Sequence, residues 1–134
     1  MEKVQDMKIA VLDDNLIIGE MLRQALELAR YCVVSYSSPS AFFTATSAEK
    51  AKPTSTPLDL MIIDLVLLEG SSGVEVIQQV RNIYSNLPII LISEESSWEI
   101  EATMKTLPSV KILRKPFKVA TLLSMVKELT PNTH

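Results

Sequence analysis

Five polar residues that could bind a metal ion or a phosphoryl group each stand at the end of a stretch with the composition of a β-strand. They are Asp13 and Asp14 after residues 8–12, Asp64 after residues 58–63, Ser93 after residues 88–92, and Lys115 after residues 110–114. Because the carboxyl ends of parallel strands lie along one edge of a sheet, we expect these side chains to converge on a single crevice.

Three of the five side chains are carboxylates. Neighbouring strands lie ~4.8 Å apart, so Asp13, Asp14 and Asp64 would be crowded together. Like charges at such range raise one another's pKa unless a cation lies between them. Magnesium prefers hard oxygen ligands and commonly takes one or two carboxylates together with water. The pattern therefore predicts a Mg²⁺ site, with Mn²⁺ as a substitute.

A magnesium site of this composition favours phosphoryl chemistry. Coordination positions left open would bind phosphoryl oxygens, and the long side chain of Lys115 would bring a positive charge to the same group. The Ser93 hydroxyl could donate a further hydrogen bond. Asp64 lies centrally among these groups, and a carboxylate can attack a phosphoryl group to form an aspartyl-phosphate.

Each of these residues, taken alone, also has a structural interpretation. Asp13, Asp14 and Asn15 could cap the first helix, since acidic residues are favoured at a helix amino end. Asp64 and Ser93 could be turn residues, and a lysine before proline is commonly a solvated strand end. The chemical interpretation depends on all of them falling at strand ends around one crevice.

The elements that must position these residues are five strands alternating with five helices. The strands are predicted at residues 8–12, 31–36, 58–64, 88–93 and 110–114, and the helices begin near residues 15, 41, 73, 97 and 119. This alternation predicts an α/β fold of three layers, with a five-stranded parallel sheet between helices. We expect the flavodoxin-like (βα)5 strand order 2-1-3-4-5, with the fifth, most polar strand at an edge.

The first helix is expected to pack through one apolar face. Its apolar residues recur at helical spacing, and the inner stripe is predicted to comprise Ile18, Met21, Leu22, Ala25, Leu26 and Ala29. Charged and amide side chains are expected to occupy the opposite, solvated face.

Composition excludes several classes of protein. The chain has 134 residues, 47% of them hydrophobic, and we expect one domain over residues 8–130 with polar tails at 1–7 and 131–134. The formal net charge of −3 argues against direct binding of nucleic acid. No apolar run suits a signal peptide or a bilayer span, so we expect a cytoplasmic protein without membrane contact. Cys32 is the only cysteine, which excludes an internal disulfide and a Cys-based zinc cluster, and it is expected to be buried.

The strand-end residues resemble a known family, the receiver domains of two-component response regulators. The resemblance runs from about Lys8 to Leu129, and its motifs occur in the family's order and at similar spacing. They are Val11-Leu12-Asp13-Asp14-Asn15, Ile62-Ile63-Asp64-Leu65, Leu91-Ile92-Ser93 and Lys115-Pro116-Phe117. Each motif is weakly specific alone, but the set is highly specific.

The resemblance implies a role for each matched residue. It makes Asp64 the phosphoacceptor, Asp14 a direct magnesium ligand and Asp13 a carboxylate that acts largely through water. It makes Ser93 the switch hydroxyl and Lys115 the lysine that contacts the phosphoryl group. It also implies a cis peptide bond between Lys115 and Pro116, and a magnesium ligand from the main-chain carbonyl of Val66.

Some positions depart from the family pattern. Leu67-Leu68 replaces the Met-Pro that commonly follows the acceptor, and Gly73 falls one position late, so one residue appears inserted near residues 69–72. Ile112 replaces the usual switch aromatic, which predicts that signalling through the face of the fourth and fifth strands is altered and depends more on displacement of the fourth helix.

Two acidic residues follow the switch serine. Glu94 stands where the family usually has a small residue, and Glu95 comes next. Val66 and Glu95 occupy positions that tune hydrolysis in this family, and Glu94 could repel an incoming phosphodonor or an attacking water. We therefore expect slow turnover of the phosphoryl group on Asp64.

The resemblance implies a signalling module that is not a turnover enzyme. A histidine kinase or a histidine phosphotransfer protein would pass a phosphoryl group to Asp64, and the altered face formed by the fourth helix, the fifth strand and the fifth helix would bind an unknown output partner or a second copy. The alternative is a receiver-like adaptor that binds partners without phosphorylation. A flavodoxin would need a phosphate cradle after the first strand, where Asp13 and Asp14 stand. A haloacid-dehalogenase-like phosphatase would have its nucleophile in a D-x-D motif on that strand.

Overall fold

The computed structural model describes residues 7–50, 58–64, 73–93, 102, 105–106 and 109–130. Five strands form one parallel sheet in the order β2-β1-β3-β4-β5, which is the predicted order. Their bounds are Lys8–Leu12 (β1), Cys32–Tyr36 (β2), Leu60–Asp64 (β3), Ile89–Ser93 (β4) and Val110–Arg114 (β5). β5 lies at an edge, as its polarity predicted.

Four helices pack on this sheet within the described part of the chain. They are α1 (Leu16–Leu28), α2 (Pro39–Lys50), α3 (Gly73–Ile83) and a final helix, Val119–Leu129, which we call the C-terminal helix. The helix expected near residues 97–106 lies largely outside the described residues. None of the described helices is long and apolar enough to cross a membrane.

The sheet is buried on both faces, and each face has its own apolar core. Successive strand residues point to opposite faces, so Ala10 and Leu12 pack on the α2 and α3 side while Ile9 and Val11 pack on the side of α1 and the C-terminal helix. All five residues of β3 and of β4 are buried. Burying one Ile or Leu side chain stabilises the folded state by about 1.5–3 kcal/mol. The burial of β3 and β4 therefore fixes the positions of the residues at their ends.

Two burial predictions were wrong. Cys32 is exposed, because β2 is an edge strand and its first residue points to solvent. Met21, assigned by its spacing to the inner stripe of α1, is 44% exposed. Gly19, Leu22 and Leu26 instead form the buried stripe of that helix, so the face that contacts the sheet is narrower than the apolar pattern predicts.

Candidate functional site

The strand register places Asp13 and Asp64 side by side at the carboxyl edge of the sheet. Leu12 of β1 pairs with Ile63 of β3, so the next residue of each strand is an aspartate. The Asp13 backbone N–H also donates to the Tyr36 carbonyl at 3.1 Å, which fastens the end of β1 to the end of β2. Both aspartates are buried. The sequence-based expectation that these two carboxylates converge is met in the structure.

Lys115 reaches Asp64 from two strands away. Its Nζ lies 3.0 Å from Asp64 Oδ2 and donates a hydrogen bond to it, and both side chains are mostly shielded from solvent. Hydrogen bonds between ionised groups are about twice as strong as neutral ones. The ion pair therefore holds a carboxylate and an ammonium in contact at the centre of the crevice.

The ends of β4 and β5 are fixed to each other beside this ion pair. The Lys115 backbone N–H donates to the Ser93 carbonyl at 2.9 Å, and Ser93 itself is buried. The peptide bond between Lys115 and Pro116 is cis, as the family resemblance predicted. Ser93 therefore stands at the same sheet edge as Asp64 and Lys115.

The Asp13 carboxyl group has a raised pKa. Its Oδ1 accepts the Asn15 backbone N–H at 2.9 Å, but Oδ2 is buried without a hydrogen-bond partner among the described residues. Burial raises the pKa of this carboxyl to about 6, and the negative charges of Asp64 and Asp14 act in the same direction. The Asn15 hydrogen bond and the Lys115 charge oppose that shift only in part.

Asn15 joins this site to α1, because it caps the helix, as the sequence interpretation considered, and also binds Asp13, which that interpretation did not predict. Its side-chain Oδ1 accepts the backbone N–H groups of Ile17 and Ile18 at 3.0 and 3.1 Å, which makes it the N-cap of the helix. Its own N–H orients Asp13. The capping interpretation considered for residues 13–15 thus holds for Asn15. An asparagine directly before a helical pattern was the available clue.

The acidic groups fit a magnesium ion better than a metal that needs a complete protein cage. Among the residues that the structure describes, no three His, Cys, Asp or Glu side chains are grouped so as to enclose a metal by themselves. Magnesium keeps several waters and needs only one or two carboxylates. The unpartnered, buried Oδ2 of Asp13 beside Asp64 is the oxygen donor that such a hydrated cation would satisfy.

Four predicted site positions are not placed beside this cluster. Val66, Glu94 and Glu95 lie outside the described residues. Ile112 is half-buried in β5 and packs against the core on the α2 and α3 side of the sheet. The structure therefore brings together Asp13, Asp64, Lys115 and the end of β4, with Asp14 half-buried next to them.

An open cleft adjoins the ion pair on the α1 side. Its volume is about 700 Å³, and its lining includes Asn15, Ile18, Met21, Lys115 and Phe117. The cleft brings the amino end of α1 next to the segment after β5, so a molecule that approaches Lys115 from this side meets apolar side chains.

Comparisons with known proteins agree with this geometry. A family model described as "Response regulator receiver domain" matches residues 9–127. The swarming motility regulation protein RssB of Serratia marcescens is 31% identical over 123 residues, which are 90% of this chain and 52% of RssB. The chain spans about half the length of the curated relatives that it matches.

Solved structures show the same architecture. A response regulator receiver protein of Sinorhizobium medicae is 26% identical, with a TM-score of 0.76 and coverage of 94% of this chain and 95% of that one. The response regulator TrrA of Thermotoga maritima, solved in complex with Mg(2+)-BeF, is 24% identical, with a TM-score of 0.75 and coverage of 92% and 98%. With a family model matched along nearly its whole length, the chain belongs to the response regulator receiver domain family of two-component systems.

Proposed function

We propose that this domain accepts a phosphoryl group on Asp64 from the phosphohistidine of a kinase or of a phosphotransfer protein, in a magnesium-dependent reaction. The observation that carries the proposal is the contact between Asp64 Oδ2 and Lys115 Nζ beside a buried carboxylate of Asp13, one oxygen of which has no hydrogen-bond partner among the described residues. A nucleophile, a fixed positive charge and an oxygen donor for a cation thus share one crevice.

The transfer balances without an added reactant. An Asp64 carboxylate oxygen forms a bond to phosphorus while the bond between phosphorus and the histidine nitrogen breaks, and the leaving imidazole takes a proton from solvent. Lys115 Nζ, already within 3.0 Å of Asp64, is placed to neutralise charge on the transferred group. Asp13, Asp14 and Asp64, with the main-chain carbonyl of Val66, would hold the magnesium ion. That ion would neutralise negative charge and bind phosphoryl oxygens.

Two other residues would link the reaction to signalling. Ser93 is buried at the end of β4, where its hydroxyl could hydrogen-bond a phosphoryl oxygen on Asp64. Its backbone carbonyl accepts a hydrogen bond from the Lys115 N–H, so a displacement of Ser93 would also displace the end of β5. The expected readout is a changed surface around β5 and the C-terminal helix that binds an output partner, with slow dephosphorylation tuned by Val66, Glu94 and Glu95.

The position of Ile112 favours a second candidate, an adaptor that binds partners without cycling. A half-buried branched aliphatic side chain packed on the core cannot rotate in the way that an aromatic ring can. If switching depended on such a rotation at this position, the domain would keep one surface whether or not Asp64 is modified.

Intact mass spectrometry tests the proposal directly. The protein is incubated with acetyl phosphate and Mg²⁺, and the expected result is the added mass of one phosphoryl group, mapped to Asp64 after reductive trapping. Asp64→Asn should abolish the adduct, whereas Asp59→Asn, a matched change at the other end of β3, should leave it unchanged. A folded wild-type protein that gains no mass with Mg²⁺ present would favour the adaptor.

A further inference from the structure

A second cavity lies between the first turns of α1 and the end of the edge strand β2. Its volume is about 170 Å³, and its lining includes Val11, Asp13, Gly19, Glu20, Ser35 and Ser37. The open cleft beside Lys115 shares none of its lining residues, so the two spaces are separate. We call this space the α1–β2 cavity. A cavity of about 150 Å³ in another protein holds benzene, so there is room here for a ligand of similar size.

The strand register places hydroxyl groups at this cavity. Ser35 of β2 pairs with Val11 of β1, and Val11 packs on the side of the sheet that α1 covers. Side chains of directly paired residues point to the same face of a sheet, so the Ser35 hydroxyl faces the same side. Ser37 follows the end of β2, which the hydrogen bond from the Asp13 N–H to the Tyr36 carbonyl holds in place. Backbone pairing thus arranges the polar wall before any ligand arrives.

Gly19 leaves space in the cavity that the fold itself does not require. Glycine is less favourable than alanine inside a helix, and Gly19 is a buried residue of α1. A Cβ atom added there would lie 3.9 Å from Asp13 Cβ and 4.0 Å from the Asp13 carbonyl oxygen, which are ordinary contact distances. Alanine would therefore fit, but its methyl group would take space beside Asp13. The glycine keeps that space open at a cost in helix stability.

The charge of the cavity favours a cation. Among the described residues that line it, the ionisable acids are Asp13 and Glu20, and none is Lys, Arg or His. Glu20 already accepts hydrogen bonds from Arg23 and Gln24. Asp13 is 4% exposed, and its Oδ2 has no hydrogen-bond partner among the described residues. A buried carboxylate oxygen without a donor is unfavourable, so a cation that donates hydrogen bonds would stabilise it.

The apolar part of the lining distinguishes between two kinds of cation. Val11 and Leu16 contribute aliphatic surface, against which a ligand must shed water. An ammonium ion is strongly hydrated, whereas a guanidinium group is planar, weakly hydrated and carries several N–H donors. We infer that the α1–β2 cavity binds a small molecule that carries a guanidinium group, which donates hydrogen bonds to Asp13 and to the hydroxyls of Ser35 and Ser37. A ligand this small should bind with a Kd on the order of 1 mM.

Occupation of the cavity would affect the phosphoacceptor crevice through Asp13. A carboxylate has several acceptor positions, so Asp13 can face both the cavity and the crevice. A guanidinium group in the cavity and magnesium in the crevice would each neutralise this one carboxylate, so each should weaken the binding of the other by the same factor. Only this consequence rests on the proposed function.

An NMR titration of the ¹⁵N-labelled protein at neutral pH in EDTA tests the binding. Methylguanidinium chloride, raised to about 20 mM against equal sodium chloride, should cause saturable shifts of the amides of Gly19, Ser35 and Ser37. Urea, a neutral molecule of similar planar shape, and tetramethylammonium, a cation without N–H donors, should cause none. Saturable shifts confined to residues around Lys115, no saturable shift, or equal binding of urea would overturn the inference.

Variants locate the ligand within the cavity. Gly19→Ala should weaken binding by about ten-fold, because its methyl group fills the space beside Asp13. The same change should not lower the thermal midpoint of unfolding, so a loss of binding would not result from a loss of fold. Ser35→Ala should weaken binding several-fold, whereas Ser124→Ala, a matched change at an exposed position of the C-terminal helix, should have no effect. Unchanged affinity in both Gly19→Ala and Ser35→Ala would overturn the assignment to this cavity.

The coupling to magnesium has a separate readout. Saturating Mg²⁺ should raise the Kd of methylguanidinium several-fold in the wild type, and an unchanged Kd would refute the sharing of Asp13. If acetyl phosphate never modifies Asp64, the proposed function fails, while binding in the cavity is still judged by the titration in EDTA.

Discussion

Replacing Asp13 by Asn should stabilise the domain when no divalent cation is present. The amide has the same shape as the carboxyl and keeps an oxygen for the Asn15 N–H, but it carries no charge. In the wild type at neutral pH, the ionised carboxylate is buried beside Asp64, with one oxygen unpartnered within the described structure. Removing a buried, uncompensated charge therefore favours the folded state.

The magnitude follows from the pKa of Asp13. Its folded value of about 6 exceeds the ordinary value of 3.8. The two values differ by about 2.2 pKa units, and one unit corresponds to 1.36 kcal/mol, so Asp13→Asn should raise the free energy of unfolding by at most about 3 kcal/mol. Because solvent screens part of the charge, we expect a gain of about 1.5–3 kcal/mol. Because the folded pKa is raised, the protonated form of Asp13 stabilises the fold fully below pH 3.8, and this contribution is lost as pH rises through 6.

Urea denaturation followed by circular dichroism measures this effect. In EDTA, the difference in unfolding free energy between Asp13→Asn and wild type should be small at pH 4 and should grow to about 1.5–3 kcal/mol by pH 7.5. Magnesium at ten times its Kd should add about 1.4 kcal/mol to the wild type and much less to the variant. Asp59→Asn, which weakens a hydrogen bond to the Lys8 N–H at the far end of β3, should show neither gain.

Two outcomes would refute this reasoning. One is an Asp13→Asn variant less stable than wild type at pH 7.5 in EDTA, which would mean that the carboxylate is better compensated than its buried Oδ2 indicates. The other is a stability difference that does not change between pH 4 and pH 7.5, which would mean that the Asp13 pKa is not raised.

Further predictions concern the residues that hold the site in place. Asn15→Ala removes the acceptor for two α1 backbone N–H groups and should cost about 1 kcal/mol in urea denaturation, with Asn15→Ser restoring most of it. Lys115→Met leaves Asp64 without its ammonium partner and should lower stability in EDTA by about 1–3 kcal/mol, an effect that the uncharged variant Asp64→Asn should largely suppress in a double-mutant cycle. Phe42→Ala leaves a cavity in the core, because the Phe42 side chain of α2 is fully buried. It should lower the free energy of unfolding by about 3–5 kcal/mol, measured by the same method.

The strand ends were predictable from the sequence because burial on both faces of a parallel sheet gives a plain pattern. β3 and β4 are uniformly apolar until Asp64 and Ser93, and their parallel pairing leaves those two residues at a common edge of the sheet. The bounds of β1 and β5 also agree with the prediction. The same pattern fixed the convergence of Asp13 and Asp64, because that convergence depends only on strand order and register.

The prediction failed where exposure depends on position within the sheet. Cys32 was predicted to be buried because it belongs to an apolar stretch, but it is exposed because β2 lies at an edge of the sheet. Composition alone does not indicate which strand of a sheet is outermost. The pairing of Asp13 with the Asn15 N–H was also missed, because a backbone donor leaves no trace in residue types.

The prediction that Met21 is buried was wrong because α1 has more apolar residues than its buried stripe holds. α1 carries more apolar positions than one stripe facing the sheet can bury, and helical spacing alone assigned Met21 to the core. Since Gly19, Leu22 and Leu26 already fill that stripe, Met21 joins Ile17 and Leu28 on the solvent side. The inner stripe of α1 thus packs on the sheet and keeps the N-cap residue Asn15 hydrogen-bonded to Asp13 at the crevice, whereas the outer stripe faces solvent.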